Sequence, residues 1–177
     1  EQRGFGRRAN KITSEVGLDL ETRQAMALAD DVLARYVGEY EEQPGDVLIE
    51  LDPGMAFGTG YHPTTYTCLQ ALEDLLQPGM AVLDVGTGSG ILAITAAKLG
   101  ASRVVALDID PQAVRAARQN FRRTRVHKLV ALTQGSVPHP LAGKEQFDLV
   151  VANISARAVG ERAPQILPSL VPGGYLI

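Results

Sequence analysis

The chain contains one cysteine, Cys68, in 177 residues. A single thiol excludes an intramolecular disulfide, and so little cysteine fits a reducing, cytoplasmic setting. No apolar run approaches the roughly 18 residues that a membrane-spanning helix requires, and no secretory leader is visible. A basic excess is also missing. The formal net charge of -3 and a pI near 5.6 argue against a general nucleic-acid binder. His62, His127 and His139 lack cysteines or acids at metal-ligand spacing, so no metal site is expected. Internal repeats and low-complexity tracts are lacking. The first residue is Glu1 rather than methionine, and Gly174-Tyr175-Leu176-Ile177 ends the chain inside an apolar, strand-like run. Both ends read as cut.

What is present suits one compact domain: 45% hydrophobic residues over a length sufficient to bury a core. Residues 1–17 are polar and rich in glycine and arginine and read as a linker or frayed end. From Asp19 to about Tyr40, Ala25, Leu28, Val32 and Tyr36 fall on one helical stripe, with Asp19 as its N-cap. Residues 1–43 are thus assigned as an N-terminal linker and helix, and residues 44–177 as the main domain. Pro44-Gly45 is a turn and Val47–Leu51 a short strand. A helix is expected from Tyr66 to Leu76, capped by Thr64 or Thr65.

Beyond it, strand and helix alternate. Val82–Val85, Val104–Ile109, Leu129–Thr133 and Phe147–Ile154 read as strands, and Tyr175 begins a fifth. Ile91–Leu99 reads as a helix stopped by Gly100. Pro111 opens another to about Arg123, with Asp110 as N-cap. A third runs from about Ala158 to Leu170, followed by a turn at Gly173-Gly174. Alternation of this kind, with near-continuous apolar strands, specifies an α/β fold: a doubly wound, mostly parallel sheet with helices on both faces. Ligands of such sheets sit beyond the carboxyl ends of the strands.

The strongest local signal lies at such an end, in Leu83-Asp84-Val85-Gly86-Thr87-Gly88-Ser89-Gly90, between a strand and a helix. Glycines there permit a tight turn and close approach of a ligand to the backbone. A dinucleotide fingerprint would place its third glycine at position 91, where Ile91 stands, so NAD and FAD are disfavoured. Asp108 closes the second strand about 20 residues further on, where an acid accepts hydrogen bonds from ribose hydroxyls. These two signals together indicate a nucleoside site without naming its chemistry.

A third segment narrows the field. Asp52-Pro53-Gly54-Met55-Ala56-Phe57-Gly58-Thr59-Gly60-Tyr61-His62-Pro63-Thr64-Thr65 resembles the signature loop of the ribosomal protein L11 methyltransferases. Tyr61 stands where that family often has threonine. The resemblance continues through the glycine loop, Asp108-Ile109-Asp110-Pro111 and Val151-Ala152-Asn153-Ile154, and covers residues 45–177. It implies a Rossmann-like class I methyltransferase fold, truncated after the fifth strand, with S-adenosylmethionine as cofactor. Carried over residue by residue, the cofactor contacts would be Thr65, Gly86, Asp108 and Asn153, with Gly88 beside Gly86 in the same loop. The implied substrates are amines of ribosomal protein L11: lysine side chains and an N-terminal amine. Residues 1–43 do not resemble the family's substrate-binding N-terminal domain.

Asn153 follows an apolar strand and therefore stands at the carboxyl edge, where its side-chain carbonyl is an acceptor. It is the expected catalytic residue, holding the attacking amine together with the backbone carbonyl of Ile154. His62 is the sole local candidate for a general base, and a weak one. Cys68 reads as packed rather than reactive. The cations Arg115, Arg118, Arg122, Arg123, Arg125 and Lys128 read as a solvated helix end rather than an RNA patch, and no direct nucleic-acid binding is expected. The alternatives are a class I methyltransferase for another protein or a small molecule, and a non-catalytic nucleoside-binding module.

Overall fold

In the computed structural model the described residues are 14–15, 49–50 and 62–177. The expected helix at 19–40, the linker apart from Ser14 and Glu15, and the signature loop up to Tyr61 lie outside them. Ser14–Glu15 (β1) pairs in parallel with Ile49–Glu50 (β2), so part of the supposed linker is held by the segment read as a strand. The remaining elements are α1 (Pro63–Leu75), β3 (Ala81–Val85), α2 (Ile91–Lys98), β4 (Arg103–Asp108), α3 (Pro111–Arg123), β5 (Val130–Gln134), β6 (Phe147–Val151), α4 (Ala156–Ile166) and β7 (Leu170–Leu176).

Five strands form one all-parallel sheet in the order β5-β4-β3-β6-β7. The chain moves outward from β3 to β4 and β5, then returns to place β6 on the other side of β3. Strand order therefore reverses between β3 and β6, and in open α/β sheets that reversal opens a crevice at the carboxyl edge. Alternation along each strand divides the core. Val82, Val104 and Ala106 face α1, α2 and α3, whereas Leu83, Val85, Val105 and Leu107 face Ile166 and Val159 of α4. Every residue of α2 from Ile91 to Ala97 is buried, as expected of a helix apolar all round and enclosed between the sheet and other helices.

The structure differs from the sequence reading most in α1, α4 and β7. α1 starts at Pro63, earlier than expected, and its N-cap is His62, not Thr64 or Thr65. The His62 Nδ1 accepts from the Thr64 backbone N–H at 3.3 Å and sits 2.8 Å from Thr64 Oγ1. Proline at the first helical position, with its φ already fixed, makes this early start possible. α4 also begins early, at Ala156, capped by Ser155, and ends at Ile166 in a 3-10 turn over Leu167–Ser169. Pro164 supplies no N–H to the helix, which limits its length. Finally, Gly173-Gly174 is not a turn before the fifth strand but lies inside β7. Along β6 the register advances from 147 to 149 while along β7 it advances from 170 to 175, so the extra residues are taken up as a bulge. Gly173, at φ +81°, supplies the backbone conformation this requires.

Candidate active site

A cavity of about 800 Å³ opens at the carboxyl edge where strand order reverses. Thr65, Gly86, Gly88, Asp108 and Asn153, separated by up to 88 positions in the chain, all line it. The structure thus brings together every site residue expected from the sequence.

The glycine loop is fixed from several directions. The N–H groups of Gly86 and Thr87 both donate to the Leu107 carbonyl, at 2.8 and 2.9 Å. Gly86, at φ +80°, lies so close under Ile154 that any Cβ would collide with the Ile154 side chain. Glycine at this position therefore interlocks the loop after β3 with the loop that carries Asn153. Gly90 (φ +89°) caps α2 and packs against the Phe121 ring of α3. The buried Asn120 on α3 donates from Nδ2 to the Ser89 carbonyl at 2.8 Å, a further tether.

Asp108 ends β4 with its carboxylate held at both oxygens. Oδ2 accepts from the Gly88 N–H at 2.8 Å, and Oδ1 accepts from the Asp110 N–H at 2.9 Å. The carboxylate is therefore fixed in orientation while lining the cavity, with lone pairs left to accept from a ligand's hydroxyls. Asp110, as expected, caps α3 by accepting from the Gln112 N–H at 2.8 Å.

Across the cavity, Asn153 Nδ2 donates to Thr65 Oγ1 at 3.1 Å. Thr65 is fully buried in the first turn of α1, so it is a fixed anchor. With its NH₂ group so engaged, the Asn153 amide offers its carbonyl oxygen as the acceptor. His62 also lines the cavity, and its Nδ1 serves as the cap of α1.

Sequence reasoning missed Asp84. It lies on β3 facing α2 and is 1% exposed. Its Oδ2 accepts from Thr87 Oγ1 at 2.6 Å, while Oδ1 is buried with no hydrogen-bond partner among the described residues. Burial pushes its carboxyl up to about 7, and the negative charge of Asp108 adds to the rise. An acid in an otherwise apolar strand immediately before a glycine loop was the available signal. Cys68 on α1 is buried; burial, and secondarily the charge of Asp84, push its thiol up, which fits packing rather than reactivity. Also unremarked was Ile109, 68% exposed at the cavity wall, where an isolated apolar side chain offers a surface to a planar base. Among the described residues no cluster of three His, Cys, Asp or Glu side chains suits a metal ion, and no helix is long and apolar enough to cross a membrane.

The residues fit an adenosyl group well. A carboxylate stands ready for ribose hydroxyls and an apolar side chain for the base, the backbone approaches closely at glycine, and no third glycine stands where a pyrophosphate would demand one. The chain matches the family model "Ribosomal protein L11 methyltransferase (PrmA)" over residues 26–177, which begins inside the segment assigned from sequence as unlike the family. It is 50% identical to the ribosomal protein L11 methyltransferase of Chloroflexus aurantiacus, over 78% of this chain and 49% of that protein. To that of Geobacter metallireducens it is 53% identical, over 78% of this chain and 44% of that protein. The chain thus spans about half the length of the curated relatives it matches. The crystal structure of ribosomal protein L11 methylase from Lactobacillus delbrueckii subsp. bulgaricus superposes with a TM-score of 0.68 at 38% identity, covering 78% of this chain and 70% of that one. With the fold, the switch-point cavity and these matches in agreement, the chain belongs to the ribosomal protein L11 methyltransferase family.

Proposed function

We propose that the protein is an S-adenosylmethionine-dependent N-methyltransferase acting on amines of ribosomal protein L11. The observation that carries this reading is the convergence of Thr65, Gly86, Gly88, Asp108 and Asn153 on one cavity. Asp108 would hold the ribose hydroxyls, the Gly86–Gly88 backbone would lie against the methionine end, and Ile109 would cover the base. When bound, S-adenosylmethionine supplies an electrophilic methyl group on a sulfonium.

The chain's own part is positioning, which is worth up to about 7–11 kcal/mol in favourable cases. Asn153 presents its carbonyl oxygen to an N–H of the incoming amine, and Thr65 keeps the amide from turning. The Ile154 carbonyl is the second acceptor proposed for the same amine. Attack requires a neutral amine, since an ammonium has no lone pair. A lysine with an ordinary pKa of about 10.4 is mostly protonated at neutral pH. Burial in a cavity beside a cationic centre lowers that value and favours the reactive form. On this reading the reaction is a cytoplasmic one.

The test is transfer of tritiated methyl groups from S-adenosylmethionine to purified ribosomal protein L11. Label on lysine or the N-terminal amine is expected. Label on another protein in a ribosomal extract, with none on L11, would reassign the substrate, and no transfer together with intact cofactor binding would leave only a nucleoside-binding module.

A further inference from the structure

Residues 111–128, α3 and the turn after it, hold six of the chain's 17 Lys and Arg residues and none of its 20 acids. Arg115, Arg118, Arg122, Arg123, Arg125 and Lys128 are all exposed, and none forms an ion pair among the described residues. Arg115, Arg118 and Arg122, at spacings of three and four, share one stripe opposite the buried Ala113, Ala117, Asn120 and Phe121.

A helix-end explanation accounts for only part of this. Arg122 and Arg123 lie in the last turn, where cations complement the helix dipole. Arg115 and Arg118 lie before the last turn of α3, where they gain little from the dipole. Arg118 with Arg122, and Arg115 with Arg118, are like-charge neighbours that weaken a helix.

The backbone at Arg125 points the same way. It sits just past the C-cap with φ +62°, a left-handed conformation that glycine adopts without strain. Gly79, Gly86, Gly88, Gly90, Gly100, Gly135 and Gly173 occupy the other positive-φ positions of the described residues, apart from Glu145. At this one helix end the sequence keeps a cation where glycine would be easier.

We propose that the outer face of α3 and its following turn form a docking surface for the phosphate backbone of RNA. The choice of RNA among polyanions rests on the proposed ribosomal protein substrate. Placement supports the link: α3 begins at the cavity, where Asp110 and Ala113 line the wall, and the arginine stripe starts two residues beyond Ala113. Counterion release from phosphates favours such a surface even on a protein of net negative charge, because only the local potential matters at contact.

The experiment is fluorescence anisotropy of a labelled RNA hairpin with the purified protein over a salt series, with polyglutamate as competitor. Saturable binding that weakens steeply with salt is expected. The triple variant R115S/R118S/R122S should bind at least about tenfold more weakly in about 0.1 M salt, with its salt slope flattened by about one unit per lost contact. R125G should keep or raise the melting temperature while also flattening the slope, a combination that a structural role for Arg125 would not give. Asn153→Ala should bind RNA as the wild type does, so that failure of methyl transfer and failure of RNA docking are read separately. No saturable RNA binding, binding unaffected by the triple variant, or displacement by polyglutamate at equal charge concentration would each overturn the proposal, the last in favour of an acidic protein partner.

Discussion

Asp84 and Asp108 stand at the ends of neighbouring strands, yet the fold uses them in opposite ways. Asp108 has a backbone N–H on each oxygen and lines the cavity. Asp84 faces α2, makes one hydrogen bond to Thr87, leaves one oxygen unpartnered and is raised to about 7 by burial. The difference lies in which side of a strand end a side chain takes: toward the crevice, or inward under a helix that is apolar on every side. One carboxylate is thereby available to a ligand. The other fixes the glycine loop from beneath through Thr87 and resists ionisation.

Exchanging Asp84 for asparagine should break the comparison most sharply. A carboxyl raised in the folded state binds its proton more readily there than in the unfolded chain. Its contribution to stability is therefore full below the ordinary carboxylate pKa of about 4 and is lost as pH rises through about 7. Asp84→Asn, which retains an acceptor for Thr87, should flatten that pH dependence and stabilise the protein above pH 7 by something on the order of 2–4 kcal/mol. Thermal unfolding across the pH range measures this, and a lower melting temperature above pH 7 would refute it. The same variant should leave S-adenosylmethionine affinity within a few-fold of wild type.

Asp108→Ala should do the reverse. Hydrogen bonds to a charged group are worth about 1.5–3 kcal/mol, so cofactor affinity should fall by roughly 10- to 100-fold by calorimetry. Asn153→Ala should lower methyl transfer at least about tenfold with the melting temperature little changed, since it removes the acceptor proposed for the amine. Thr65→Val, which removes only the anchor of that acceptor, should cost about 1 kcal/mol, a rate loss of roughly fivefold. A Thr65→Val loss exceeding that of Asn153→Ala would show that Thr65 acts on the reactants directly.

The legible part of this molecule is what punctuation and periodicity write locally. Strand, glycine loop and helix around Gly86 could be read in order, as could Asp108 at a strand end and Asp110 before Pro111 as a cap. The position of Asn153 followed from one apolar strand. What escaped depends on distant partners or on backbone geometry. Asn120 reaches the Ser89 carbonyl across 31 positions, and nothing within α3 announces it. Asp84 looked like part of a loop signature, because its burial is created by α2 packing over β3. Gly173-Gly174 carries a turn signature but serves a bulge, because the register of β7 is imposed by β6. His62 displaced the expected threonine cap because Pro63 allows the helix to begin directly after it.

A crystal structure grown with S-adenosylhomocysteine tests the central claim most directly. The account predicts the ribose hydroxyls on the Asp108 carboxylate, the base against Ile109 and the sulfur on the side of the cavity that Asn153 and Thr65 share. A ligand seated elsewhere, or in this cavity with its ribose turned away from Asp108, would contradict it.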